Sequence, residues 1–173
     1  MIYNEMLVQV PMCSHDKIDL NVCLINPNDD IKKELSYHKN IKITETNDES
    51  GLADSENEFD IIISTKPVSS VYMNRSLTSK GIAVQPCVSL TDTKTFEEAG
   101  RLMYINQPYW FFDENEQMRT ILFSSKKYHP QADIVRNKSD FIEHTEYYNT
   151  DMHISAFNYP NKIFKQILSS IKI

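Results

Sequence analysis

The densest set of candidate chemical groups in this sequence is the run Asp113-Glu114-Asn115-Glu116-Gln117, in which three carboxylates fall within four residues. Carboxylates so spaced bind cations. The net charge of −6, from 18 Lys and Arg against 24 Asp and Glu, is compatible with a cationic ligand. No comparable grouping supports a metal or a covalent nucleophile. The five histidines (His15, His38, His129, His144 and His153) never stand at a metal-ligand spacing from a cysteine or carboxylate on one helix. His144 and His153 read as surface or packing residues in a polar tail. Cys13 has only His15 nearby, and side chains at i and i+2 point apart in most local structures, so no thiolate–imidazole pair is expected. No serine sits in a nucleophile elbow. The aromatic run Tyr109-Trp110-Phe111-Phe112 has the surface to stack bases, but Asp113 and Glu114 beside it repel phosphate. An acidic chain is also not a general nucleic-acid binder. The run reads better as a hairpin strand with one face buried and the other at a subunit contact, giving a homodimer through this edge.

Glycine is scarce. The chain has 3, Gly51, Gly81 and Gly100, where average usage gives about 12 in a chain this size. Loops that cradle phosphates or dinucleotides need two or three glycines close together, because the backbone must take positive φ and approach the ligand. A P-loop and a GxGxxG fingerprint are therefore excluded. Three cysteines (Cys13, Cys23, Cys87) without a CxxC spacing indicate reduced thiols and a cytoplasmic location. Nothing approaches eighteen consecutive apolar residues and the N-terminus is not a signal peptide, so no membrane association is expected.

These groups must be positioned by a single domain spanning 1–173. Tyr3, Met6, Leu7 and Val10 repeat at helical spacing and predict a short amphipathic helix ending at Pro11. Leu20 to Ile25 is a compact apolar run closed by Asn26-Pro27-Asn28-Asp29, a buried strand and its turn. A helix over roughly 30–38 follows, capped by Asp29 or Asp30, then a weaker strand from Ile41 to Glu45 and an acidic loop over 47–58. Phe59 to Ile63 predicts a central parallel strand covered on both faces. A helix at about 69–79, a strand Ile82 to Val88 and a helix 93–105 facing inward with Phe96, Ala99, Leu102 and Met103 complete the alternation. Thr91 or Asp92 caps the last of these helices. Strands Tyr109 to Phe112 and Met118 to Phe123, five polar residues apart, form an antiparallel hairpin. The order predicts an open α/β sheet, mostly parallel, with an antiparallel edge.

Two segments carry a sharper pattern. Ile2-Tyr3-Asn4-Glu5-Met6-Leu7 followed by Pro11-Met12-Cys13-Ser14-His15 resembles the start of the catalytic domain of the polyamine aminopropyltransferases, the spermidine synthases. Tyr147-Tyr148-Asn149-Thr150-Asp151-Met152-His153, Ala156-Phe157 and Pro160 resemble a second segment of the same family. The resemblance covers the whole chain, without the family's small N-terminal β domain. It implies a Rossmann-like, S-adenosylmethionine methyltransferase-type fold. It also implies transfer of an aminopropyl group from decarboxylated S-adenosylmethionine to putrescine. Tyr3, Asn4, Tyr147 and Tyr148 then line a substrate cleft, with Asp113 in the hairpin turn near it. Glu45, at the end of the second strand, holds the ribose of a nucleoside such as methylthioadenosine.

The departures from the family pattern fall on the chemistry. Asn26-Pro27-Asn28-Asp29 stands where the family has a glycine-rich loop. Ser64-Thr65-Lys66-Pro67 stands where it has its catalytic aspartates, and Gln85-Pro86-Cys87-Val88 brings no acid. The hairpin turn lacks the family's Tyr-Pro-Ser-Gly pattern. Only thirty-three residues separate Ile25 from Phe59, short of the usual span by about one βα unit. Lys66 repels a cationic diamine by roughly 1–4 kcal/mol at a separation of about 4 Å, depending on screening. Three readings follow: a spermidine synthase-like protein with weak or lost activity, an enzyme on altered polyamine or nucleoside substrates, and a non-catalytic interaction module that dimerises or pairs with another protein.

Overall fold

The apolar run Phe59–Ser64 (β3) is buried at every position, as a strand covered on both faces must be. A computed structural model, which describes residues 1–173, sets it in the middle of a six-stranded sheet. With it lie β1 (Leu20–Ile25), β2 (Ile41–Thr46), β4 (Leu77–Pro86), β5 (Ile105–Phe112) and β6 (Met118–Ser125), in the order β2-β1-β3-β4-β6-β5. β1 to β4 run parallel, and β6 is antiparallel to both β4 and β5. The expected open sheet with a terminal hairpin is present. One face is covered by α1 (Ile2–Met12), α2 (Asp29–Ser36) and α6 (Thr150–Ala156), the other by α3 (Ser70–Ser76), α4 (Thr93–Gly100) and α7 (Asn161–Ile167). A single turn of helix, α5 (Arg136–Ser139), links the hairpin to α6. The C-terminal helices α5 to α7 carry no periodicity strong enough to predict them.

The first helix differs from the amphipathic reading. It is buried from Asn4 to Met12, because the sheet lies beneath it and the segment 145–157 lies over it. It also runs through Pro11. That residue stands in the last turn, where one intrahelical bond is lost and Cys13 N–H closes the turn on Gln9 C=O (2.9 Å). The burial includes Glu5, 4% exposed, whose carboxylate accepts three backbone hydrogen bonds. Glu146 N–H donates to Oε1 (2.9 Å), and Tyr147 and Tyr148 N–H donate to Oε2 (2.9 and 3.1 Å). The two segments that carry the family resemblance are therefore bound to each other.

Several boundaries move. α3 ends at Ser76 and β4 begins at Leu77, five residues before the expected strand start. Gly81 permits this, since a Cβ there would meet the Leu77 side chain at 2.7 Å, and the register with β3 shifts between Phe59 and Ile61. α4 stops at Gly100, which leaves Leu102 half exposed instead of inward. β5 then starts at Ile105, because Asn106 is fully satisfied inside the sheet: Nδ2 donates to Phe96 C=O (2.8 Å) and Oδ1 accepts from Ser124 Oγ (2.7 Å). Asn28, not Asp29 or Asp30, caps α2 by accepting from Ile31 N–H (2.8 Å). Asp92 caps α4 through Thr95 N–H.

Left-handed backbone is present although glycine is scarce. Asn26 (φ 52°), Asn40 (φ 58°), Asn57 (φ 50°) and Glu116 (φ 58°) adopt it, and no glycine does. Asparagine tolerates this region better than other side-chain-bearing residues.

Replacing Glu5 leaves three buried N–H groups without an acceptor, so Glu5→Ala is expected to cost about 3–5 kcal/mol and to lower Tm by about 10 °C in a thermal melt. Glu5→Gln, which keeps an acceptor oxygen, falls between the two. A melt of Glu5→Ala within about 2 °C of the parent contradicts the clamp.

Candidate functional site

In an open α/β sheet, ligands bind outside the carboxyl ends of the strands where the strand order reverses. Here the chain passes from β1 outward to β2 and then returns to β3 on the other side of β1, so the reversal lies between β1 and β3. The loops bordering it are Asn26–Asn28 and Thr65–Pro67. Asn26, in its left-handed conformation, donates from Nδ2 to Thr65 Oγ1 (2.8 Å), and the Thr65 hydroxyl donates to Asn26 C=O (2.6 Å). Thr65 N–H continues the ladder onto Ile25 C=O (3.2 Å). The two lips of the crevice are thus clasped together by their own side chains. Ser64 Oγ turns the second loop by donating to Lys66 C=O (2.6 Å) and accepting from Lys66 N–H (3.1 Å), and the Lys66 side chain is exposed.

Beyond the clasp, Glu45 is exposed and paired with Lys32 (3.0 Å). It lines a hollow of about 390 Å³ with Asn26, Pro27, Lys32, Thr46 and Asn47, where the Pro27 ring is the one apolar surface for a planar base. Asn4 is 1% exposed. Its Oδ1 accepts from Asn28 Nδ2 (3.4 Å), while its own Nδ2 has no hydrogen-bond partner. Asp60, at the N-terminal end of β3, lies at the opposite edge of the sheet, where Lys17 Nζ (2.8 Å) and Asn21 N–H (2.9 Å) donate to it.

The other expected site residues divide into two groups. Tyr3 is half-buried and tilted over Phe111 (6.0 Å between centroids). It borders a hollow of about 310 Å³ with Met1, Asp113, Glu114, Asn115 and Arg119, and burial pushes its phenol up to about 12. Asp113 organises the hairpin turn. Its Oδ1 accepts from Asn115 N–H (2.9 Å) and Gln117 N–H (3.0 Å), and its Oδ2 from Arg119 Nε (2.7 Å). The Arg119 hydrogen bond, with the two turn N–H groups, holds its carboxyl below the usual carboxylate range. Tyr3 and Asp113 therefore share one wall. Tyr147 and Tyr148 do not line that hollow: Tyr147 packs half-buried on Phe111 (6.3 Å), the ring that Tyr3 also meets. Tyr148 is 2% exposed, with its hydroxyl 2.8 Å from His153 Nδ1. His153 itself is fully buried against Phe157. Glu5 and His153 both stand inside the quoted motifs, yet their isolated residue types give no sign of the partners they meet.

No protein-family model matches the sequence, and no curated protein matches it. Solved structures do. Spermidine synthase from Thermotoga maritima superposes with a TM-score of 0.84 at 20% identity, over 97% of this chain and 75% of that one. This chain has the spermidine synthase fold. A spermidine synthase in complex with the transition state analogue AdoDATO gives 0.77 at 19% identity, over 97% of this chain and 74% of that one. A phosphoethanolamine N-methyltransferase from Haemonchus contortus, bound to phosphomonomethylethanolamine and S-adenosylhomocysteine, gives 0.52 at 16%, over 83% and 41%. The spermidine synthase fold is accordingly of the methyltransferase-like Rossmann type. At these identities the likeness speaks to architecture, and the chemistry must be read from the site. No helix is long and apolar enough to cross a membrane.

Burial lowers three histidines, His15, His38 and His153, to about 4 from an ordinary 6.5. The unfolded chain takes up these protons first, so the stability their neutral forms contribute is full above pH 6.5 and is lost as pH falls towards 4. For the fully buried His153 this is on the order of 3 kcal/mol. Urea midpoints are expected to fall steeply across this window, and His153→Gln to remove roughly a third of the fall. A flat profile between pH 6.5 and 4 excludes this account.

Proposed function

We propose that this chain is a spermidine synthase-like protein of the aminopropyltransferase kind that no longer transfers an aminopropyl group and acts through what it binds. The observation that carries this reading is the clasp between Asn26 and Thr65 across the strand-order reversal. A glycine at the left-handed position of Asn26 leaves that crevice open, whereas an asparagine reaches across and closes it.

Aminopropyl transfer from decarboxylated S-adenosylmethionine needs three things of the protein. The nucleoside requires an open crevice with an apolar wall, its ribose requires a free carboxylate, and the attacking amine requires a base. The residues present do not fit that ligand. The crevice is clasped, Glu45 is paired with Lys32, and the adjoining hollow is polar but for Pro27. After β3 the chain offers Lys66, a cation that repels both a sulfonium and a diamine. No step of transfer is therefore derived. A second reading rests on the hollow bounded by Tyr3, Asp113, Glu114 and Arg119, where Glu114, the acid outside the Asp113–Arg119 pair, suits one ammonium group of a polyamine without a nucleoside.

Titration calorimetry separates these. With methylthioadenosine at about 1 mM, no heat is expected, which places any binding above a Kd of about 1 mM. No turnover of decarboxylated S-adenosylmethionine with putrescine is expected either. Heat with spermidine alone supports the polyamine reading. Micromolar binding of methylthioadenosine, or transfer by the parent chain, overturns the proposal. Lys66→Asp combined with Asn26→Gly tests its physical basis, since the pair removes the repelling charge and the clasp together.

A further inference from the structure

We propose that β2 is a self-pairing edge through which two copies of this chain join their sheets antiparallel, independently of what the crevice binds. At the two ends of the β1–β2 ladder, Leu20 N–H donates to Asn40 C=O (3.1 Å) and Asn26 N–H to Thr46 C=O (2.7 Å). In a parallel pair this fixes the phase. Lys42 and Thr44 turn their backbone groups to β1, and Ile41, Ile43 and Glu45 turn theirs outward. None of these outward groups takes part in a hydrogen bond outside the ladder. β2 is the last strand on its side of the sheet and is exposed or half-exposed along its whole length, with Ile43 39% exposed.

The outward set is self-complementary. A twofold axis perpendicular to the sheet at Ile43 sets Ile43 against its copy and Ile41 against Glu45 of the other chain. Each facing pair then exchanges two hydrogen bonds. Side chains of facing residues lie on the same face, as pairing demands. Charge selects this antiparallel sense. Lys39 and Lys42 stand at the start of the strand and Glu45, Asp48 and Glu49 at and beyond its end, so the basic end of one copy lies along the acidic end of the other. A parallel arrangement sets like charges together.

The opposite edge of the sheet is covered over Asn106 and Pro108, which leaves β2 as the longer run of open edge backbone. Asn106 N–H and C=O are taken by Lys172 C=O (2.8 Å) and N–H (2.9 Å). Pro108 has no N–H, its carbonyl accepts from Tyr159 Oη, and Trp110 Nε1 is turned to Asn158 C=O (2.8 Å). A single short strand pair buries little area, so the association is expected in the micromolar range.

Light scattering on the full chain from about 5 to 200 µM reads the outcome. A mass rising towards twice 20.2 kDa is expected. Ile43→Pro deletes only an outward N–H, a position where an edge strand accepts proline, and is expected to hold the chain at 20.2 kDa with unchanged far-UV circular dichroism. Should that variant unfold, Lys39→Glu combined with Lys42→Glu supplies the test: with Glu45, Asp48 and Glu49 it makes the edge uniformly acidic and weakens the dimer at least tenfold. A parent chain that stays monomeric over the whole range overturns the proposal. So does a dimer that survives Ile43→Pro or the Lys39→Glu, Lys42→Glu pair unchanged.

Discussion

The rest of the structure depends on the buried carboxylate of Glu5. A charge withdrawn from water is costly unless hydrogen bonds replace its hydration, and three consecutive backbone N–H groups do so here. The bonds join residues 141 to 143 positions apart. They hold the segment over α1 and bring Tyr148 into the core against His153. The same helix is tied from below, where Tyr109 in β5 donates its hydroxyl to Met6 C=O (3.0 Å) and lies tilted against Phe157, 5.0 Å between centroids. α1 is consequently enclosed between sheet and C-terminal segment, and the first face of the core closes only when both chain ends are in place.

This arrangement gives the Tyr-x-Glu-Met and Tyr-Tyr-Asn segments a structural reason of their own. Each is the packing partner of the other. Residues such as Tyr148 and His153, which lie in motifs of a catalytic fold, here serve burial and mutual hydrogen bonding. The loops answer to a different constraint. Left-handed backbone after β1 and in the hairpin turn is a requirement of the fold, and Asn26 and Glu116 meet it. The conformation stays while the side chain fills the space, and at Asn26 that side chain reaches Thr65. The three glycines meanwhile sit at negative φ under Thr46, Leu77 and Asn106, where close approach leaves no room for a Cβ.

Much of this was legible in the sequence. Period and burial pattern are local properties, so the strand–helix alternation, the central β3 and the hairpin follow from the apolar runs at 20–25, 59–63 and 118–123. The lack of glycine in the turn Asn26-Pro27-Asn28-Asp29 and the presence of Lys66 are equally plain from residue identity. The early start of β4 was not, because it turns on Gly81 passing under Leu77. Nor was the early start of β5, because Asn106 and Gln107 look like loop residues until Phe96 C=O and Ser124 Oγ supply their partners.

By itself, then, the sequence determined the class of fold, the family whose architecture it shares and the absence of the usual phosphate-cradling loops. Tertiary structure alone decided what the retained residues do. Glu5 is an ordinary helix carboxylate until residues 146–148 meet it, and Asn26 is an ordinary turn residue until Thr65 arrives from 39 positions away. It also decided how much of each sheet edge is open, since the bridge that covers Asn106 in β5 is made by Lys172 at the far end of the chain. The physical reason is common to all three. Hydrogen-bond satisfaction of a buried or edge group depends on partners distant in sequence, and no local pattern encodes them.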